Sequence, residues 1–249
     1  ASNSTAVGYQ ALTANTTGHE NSALGRNSLA ANTTGQHNTG TGDSVLASTT
    51  TGSYNTAFGS AALYNNTTAS NNTAVGYNVL LTNTTGSENT GLGHNALYGT
   101  TTGTGNTGIG QGALQTNTTG ATNTAVGQGS LALNTTASNN SAFGKNALAS
   151  NTTGTNNVAL GALAGDAITT ASNNVAIGAH ALTTDTLGSG SIAIGRQALQ
   201  TQNFTSATTS YNVAVGDQAG LSVTTGVQNT LIGGLAGDAL TDADKNVAI

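Results

Sequence analysis

The sequence predicts an all-β fold, a parallel β-solenoid of 17-residue coils. Three observations carry that prediction: a glycine that recurs at a fixed step, an apolar column beside it, and a composition rich in strand and turn formers. The glycines are Gly8, Gly25, Gly42, Gly59, Gly76, Gly93, Gly110, Gly127, Gly144, Gly161, Gly178 and Gly195, each 17 residues after the last. A step of 21 leads to Gly216 and a step of 17 to Gly233. With each glycine as position 0, position −1 is Val, Leu, Phe or Ile from Val7 to Ile249, except at Thr41. Thr and Asn supply 47 and 31 of the 249 residues.

A period of 17 is too short for helix-pair repeats, whose units need about 33 residues or more. Asn, Thr and Gly are also poor helix formers. Within a coil, positions −3 to −1 read as a short strand, because Thr and Val suit a pleated surface. The glycine at 0 reads as a corner. A second short stretch follows, with Leu at +4 in eleven coils from Leu12 to Leu199 and glycine at Gly165, Gly220 and Gly237. Positions +8 and +9 are Thr-Thr in most coils, inside an N-T-T-G turn; Gly and Asn suit such turns because they accept positive φ. Fourteen to fifteen coils about 4.8 Å apart would make a rod of roughly 70 Å.

Position −4 is Asn in nearly every coil: Asn21, Asn38, Asn55, Asn72, Asn89, Asn106, Asn123, Asn140, Asn157, Asn174, Asn212, Asn229 and Asn246. Stacked in register, this column is expected to be a buried hydrogen-bonded ladder or a turn device. The ladder reading accounts for the composition. Leu, Ile, Val and Phe make up 44 of 249 residues, about 18%, below the roughly 20% where core formation becomes doubtful. The net charge is only −5, so the charge half of the disorder signature is missing.

Composition excludes several functions. Four Lys+Arg leave no basic surface, so no nucleic-acid partner is expected. No run of 18 apolar residues occurs, so this segment is not expected to insert into a membrane. No signal peptide is read at its start. The absence of Cys removes disulfides, thiol catalysis and Cys-based zinc sites. No catalytic constellation and no cofactor motif is found. Gly103-Thr104-Gly105-Asn106-Thr107-Gly108 matches G-x-G-x-x-G but lacks the strand–helix setting. Asp242-Ala243-Asp244 opens like a calcium loop but has Val247 where glycine is required. His19, His37, His94 and His180 share no ligand spacing and are expected to be surface residues without a metal.

Position −2 is Ala or Gly in all coils but one, Leu231 being the exception. Since strand residues alternate faces, this column opposes −1 and −3. Either the coil is too narrow for larger residues, or this face packs closely on another chain. The second is the expectation, because one large residue at −1 and one at +4 make a thin core and oligomerisation remedies that. Position −3 changes from Thr or Ser to Val158, Val175, Ile192, Val213 and Val247, with Thr230 an exception, so tighter packing is expected towards the C-terminus. The array is expected to be one domain, 1–249, with a four-residue insertion in 200–211. A further step of 17 would pass Ile249, so the chain is expected to be a fragment of a longer protein.

Ser191-Ile192-Ala193-Ile194-Gly195, Asn174-Val175-Ala176-Ile177-Gly178 and Asn212-Val213-Ala214-Val215-Gly216, each with a small residue three places on (Ala198, Ala181 and Ala219), resemble the YadA-like head repeats of trimeric autotransporter adhesins. Similar repeats occur in phage tail-fibre proteins. The resemblance covers essentially the whole chain, although the steady 17-residue unit is longer than the family's commonest one. It implies a left-handed β-roll, a homotrimer about a common axis, and a non-enzymatic role in attachment. The implied setting is extracellular, on a cell surface or virion, with a host-surface protein or glycan as partner. The alternatives are a phage tail-fibre receptor-binding or spacer segment, a purely structural filament, or an ice-binding solenoid using the Thr columns. Irregular loops on a regular rod are natural recognition sites, so Asn203, Phe204 and Tyr211 of the insertion are the candidate receptor contacts.

Overall fold

The computed structural model describes residues 2–249 and is all-β, a parallel β-solenoid of about fourteen coils. No described residue is helical. The chain divides into two compact units, Ala1–Thr122 and Asn123–Ile249. In the first, strands Thr5–Val7, Ser22–Leu24, Thr39–Thr41, Thr56–Phe58, Thr73–Val75, Thr90–Leu92 and Thr107–Ile109 pair in parallel, each residue opposite the one 17 later. In the second, strands Thr124–Val126, Ser141–Phe143, Val158–Leu160, Val175–Ile177, Ile192–Ile194, Val213–Val215, Thr230–Ile232 and Val247–Ala248 pair likewise, the register stepping by 21 across the insertion.

Backbone bonding continues beyond the strands. Positions 0 and +2 donate back to the preceding coil, as in Gly42 N–H to Leu24 O and Ser44 N–H to Arg26 O, both 2.8 Å. Positions +4, +6 and +8 donate forward, as in Leu29 to Val45 O, Ala31 to Ala47 O and Thr33 to Thr50 O. Most of each coil's backbone polarity is thereby satisfied by a neighbouring coil, which is why few large side chains are needed.

The corners differ from expectation. Composition points to positive φ at Gly and Asn, yet all eleven leucines at +4 have φ between 49° and 55°. A left-handed leucine costs on the order of 1 kcal/mol or more. From Leu29 to Leu199 these side chains are fully buried, so packing holds them in that conformation. Position 0 requires glycine for a second reason: at Gly42 (φ 137°) an added Cβ would lie 2.8 Å from the Gly59 carbonyl oxygen.

The assignment of strand faces is also corrected. The narrow-coil reading holds for position −2: Ala57, Ala74, Ala125, Ala142 and Ala193 are fully buried inside the coil, facing no other chain. The large residues at −1 point outward: Leu24 is 52% and Leu160 50% exposed. The cross-section leaves room for one leucine, from +4, and methyls opposite it. At Gly91 a Cβ would collide with Val79, and at Gly108 it would lie 3.0 Å from Leu97 Cγ. Tighter packing at −3 towards the C-terminus is not made within this chain, since Val158, Ile192 and Val247 are exposed.

Three coils of the second unit fill the interior differently. Gly165, Gly220 and Gly237 replace leucine at +4, while Ile168, Val223 and Leu240 replace the Asn or Thr usual at +7. A Cβ on Gly165 would sit 3.1 Å from both Ile168 Cδ1 and Leu148 Cδ2. At Gly165 the +7 aliphatic therefore occupies the space that leucine fills elsewhere; at Gly220 and Gly237 the buried Leu231 from position −2 shares it, 2.8 and 2.7 Å from where a Cβ would lie.

Candidate functional site

Two polar ladders run inside each unit. The first is the −4 column. In the first unit the backbone N–H of Asn38, Asn55, Asn72, Asn89 and Asn106 donates to Oδ1 of the Asn one coil earlier, starting from Asn21, at 2.9–3.1 Å. In the second unit Asn140, Asn157 and Asn174 do the same from Asn123, and Asn229 and Asn246 from Asn212. Before Asn246, each member also donates Nδ2–H to a carbonyl 14 residues on, as in Asn72 to Gly86 O at 3.0 Å.

The second ladder, at +7, escapes a reading of the sequence because its asparagines look like solvent-facing turn residues. Asn66, Asn83, Asn117, Asn134 and Asn151 are fully buried. They donate to the carbonyl three residues on, so the Gly86 carbonyl accepts from both Asn72 and Asn83. Asn83 Nδ2 also bonds Asn66 Oδ1, and Asn151 Nδ2 bonds Asn134 Oδ1. The ladder stops where the next coil has no amide. Oδ1 of Asn32, Asn83 and Asn151 has no partner, and the following residues in the column are Thr49, Thr100 and Ile168. The signal available in the sequence is the 17-residue recurrence of that Asn itself.

Of the three insertion residues expected at the surface, Phe204 is not there. Phe204 is only 5% exposed and lies over Gly188, whose missing side chain admits the ring. Asn203 and Tyr211 are exposed, Tyr211 at 63%. Beneath them a buried network crosses the irregular coil. Asp185 accepts from the Gln202 amide and the Gly188 N–H. Gln202 also donates to Ser191 Oγ at 2.7 Å and accepts from Asn212 Nδ2 at 2.8 Å. Ser191 N–H bonds Asn174 Oδ1, and its hydroxyl meets Ser210 Oγ at 2.6 Å. The network thus bridges Asn174 and Asn212 where Ser191 interrupts the −4 column. A short parallel pair, Gly188–Ser189 with Thr208–Thr209, frames it. Burial pushes the Asp185 carboxyl above its ordinary value of 3.8, outweighing the hydrogen bonds that oppose the shift.

The outer surface has three features. Hydroxyls at +8, such as Thr50, Thr67 and Thr84, donate to carbonyls of the next coil, which leaves the +9 threonines as a single exposed column in each unit. Charges stack as opposites: Arg26 on Asp43 through two bonds of 2.7 and 3.0 Å, and Arg196 on Asp217 at 2.9 Å. Each guanidinium neutralises the acid beside it, so repetition brings no like-charge repulsion. The third feature is the apolar strand face. At −1 it carries Val7, Leu24, Phe58, Leu92, Phe143, Leu160 and Ile232, and at −3 Val158 and Ile192, all exposed. Up to Ser141 the neighbouring −3 positions on this face are Thr or Ser. The histidines, expected to stand apart, do not all do so, because the fold places His19, Glu20 and His37 side by side.

No family model, curated protein or solved structure matches the chain.

Proposed function

We propose that this chain is a non-enzymatic segment of a homotrimeric fibre, a left-handed β-roll displayed outside a cell or on a virion and serving attachment. The observation that carries the proposal is the outward apolar column at −1, joined at −3 by Val158, Val175, Ile192, Val213 and Val247. A solvated column would hold Thr, Lys or Gln, whereas position −1 repeats Val, Leu, Ile and Phe in every coil but that of Thr41. Packing that face against the same face of two other copies removes it from water. Each square ångström of apolar surface so buried contributes roughly 25 cal/mol. A cyclic arrangement gives every copy the same contacts. The polar ladders lie inside the coils and need nothing from the seam, while the Thr and Ser at −3 up to Ser141 would set hydroxyls along it. The exposed Asn203 and Tyr211 are the insertion residues left to meet a host-surface protein or glycan.

Equilibrium sedimentation tests the assembly. Three chains of 24.2 kDa give about 73 kDa, and a stable single chain refutes the trimer. Retention of the labelled protein on cells or immobilised glycans tests attachment. Retention that falls when Tyr211 is changed to Ala supports it; absence of retention on every surface tried leaves the spacer role.

A further inference from the structure

We propose that His19, Glu20 and His37 form a binding site for a first-row divalent transition ion such as zinc. Glu20 and His37 occupy position +12 of consecutive coils, and His19 position +11. Position +12 is left-handed in both (φ 58° and 57°), so successive side chains leave the backbone in the same direction. The His37 N–H donates to the His19 carbonyl at 3.1 Å, which fixes the two coils in register at this point.

The side chains converge. His37 Nδ1 lies 2.8 Å from Glu20 Oε2, and His19 Nδ1 lies 3.8 Å from the same oxygen. All three ligand atoms fall within 4.8 Å of one another. Ligands about 2.0–2.2 Å from a tetrahedral ion are separated by roughly 3.4 Å. Reaching that spacing means opening the His37–Glu20 pair by about 0.6 Å and drawing His19 in by about 0.4 Å, shifts within reach of side-chain rotation at groups that are 36–44% exposed. The His37 ring is steadied by Tyr54, the next residue in the column, stacked on it at 4.8 Å and 10°.

Two imidazole nitrogens and one carboxylate oxygen suit zinc, nickel, cobalt or copper; calcium and magnesium prefer all-oxygen sets. The remaining coordination positions are open to water. Because His19 and Glu20 belong to one coil and His37 to the next, the ion would staple two coils together near the start of the first unit. His94 stacks on Tyr77 and belongs to no such cluster among the described residues, so it serves as an internal control.

The test is isothermal titration of the full chain with zinc chloride in chelator-free buffer, with cobalt absorption as a second readout. One ion per chain is expected, with affinity at least tenfold weaker in His37→Ala and in Glu20→Gln and unchanged in His94→Ala. Zinc should raise the unfolding temperature of the parent chain and not that of His37→Ala. The exposed positions make these variants foldable, and circular dichroism without metal checks it. No saturable binding, or binding that survives unchanged in His19→Ala/His37→Ala, overturns the proposal.

Discussion

In the coil that starts at Gly59, Leu63 fills the interior and Asn66 extends a hydrogen-bonded ladder. In the coil that starts at Gly161 the duties are exchanged: Gly165 leaves a space, Ile168 fills it, and the +7 ladder ends at Asn151. Both interiors are closed and both backbones bond to their neighbours. The first has a leucine in a left-handed conformation and a polar column that must be satisfied. The second relaxes the corner with glycine and replaces the amide with hydrocarbon. What the fold conserves is interior volume per coil, and the chemistry that supplies it can move between +4 and +7.

The largest expected effect breaks that exchange. Ile168→Asn alone removes the filling side chain beside Gly165 and should cost about 3 kcal/mol in denaturant unfolding. Adding Gly165→Leu restores the leucine, and the amide introduced at position 168 can then donate to the orphaned Asn151 Oδ1. The double variant should be more stable than Ile168→Asn, with a coupling of about 0.5–3 kcal/mol. Simple additivity would mean that the two positions do not share one space.

A smaller effect separates the two ladders. Asn72→Ala strands the buried Asn89 N–H, which has Asn72 Oδ1 as its acceptor, and should cost about 2 kcal/mol. Asn83→Ala should cost less, about 1 kcal/mol: the Gly86 carbonyl keeps its bond from Asn72, and the group left without a partner, Asn66 Oδ1, is an acceptor like the unpartnered oxygens this column already holds. Equal losses would put the ladders on the same footing.

The smallest effect is a pH dependence at the insertion. The folded state binds the Asp185 proton more tightly than the unfolded chain does. This group's contribution is therefore fully present below pH 3.8 and is lost as pH rises through its elevated folded value. Asp185→Asn should flatten that fall in urea titrations carried upward from pH 3.8. An unchanged slope would mean that the carboxyl is not perturbed.

The 17-residue step, the strand at −3 to −1 and the glycine corner were legible because each rests on a backbone requirement that only certain residues meet. The inward column was not. Size points large residues inward and Ala outward, and that ordering fails in a coil too narrow for anything beyond one leucine. The −4 ladder was visible as a column, but the +7 ladder was hidden by Thr-Thr-Gly, which reads as an ordinary exposed turn. Phe204 misleads for a related reason: an irregular insertion reads as a surface loop, and nothing in its sequence announces the cavity opened by Gly188. The His19–Glu20–His37 cluster required three-dimensional register, because His19 and His37 are 18 residues apart and the stack repeats every 17.

In the proposed assembly, the outward apolar face joins one copy of the chain to two others. The most direct measurement compares the solution mass of the parent chain with that of Leu92→Lys/Leu160→Lys, which puts a charge on that face in each unit. Three chains per particle for the parent, one for the variant, and identical circular dichroism for both is the predicted result. A parent that is already a single chain, or a variant that keeps the full mass, would contradict it.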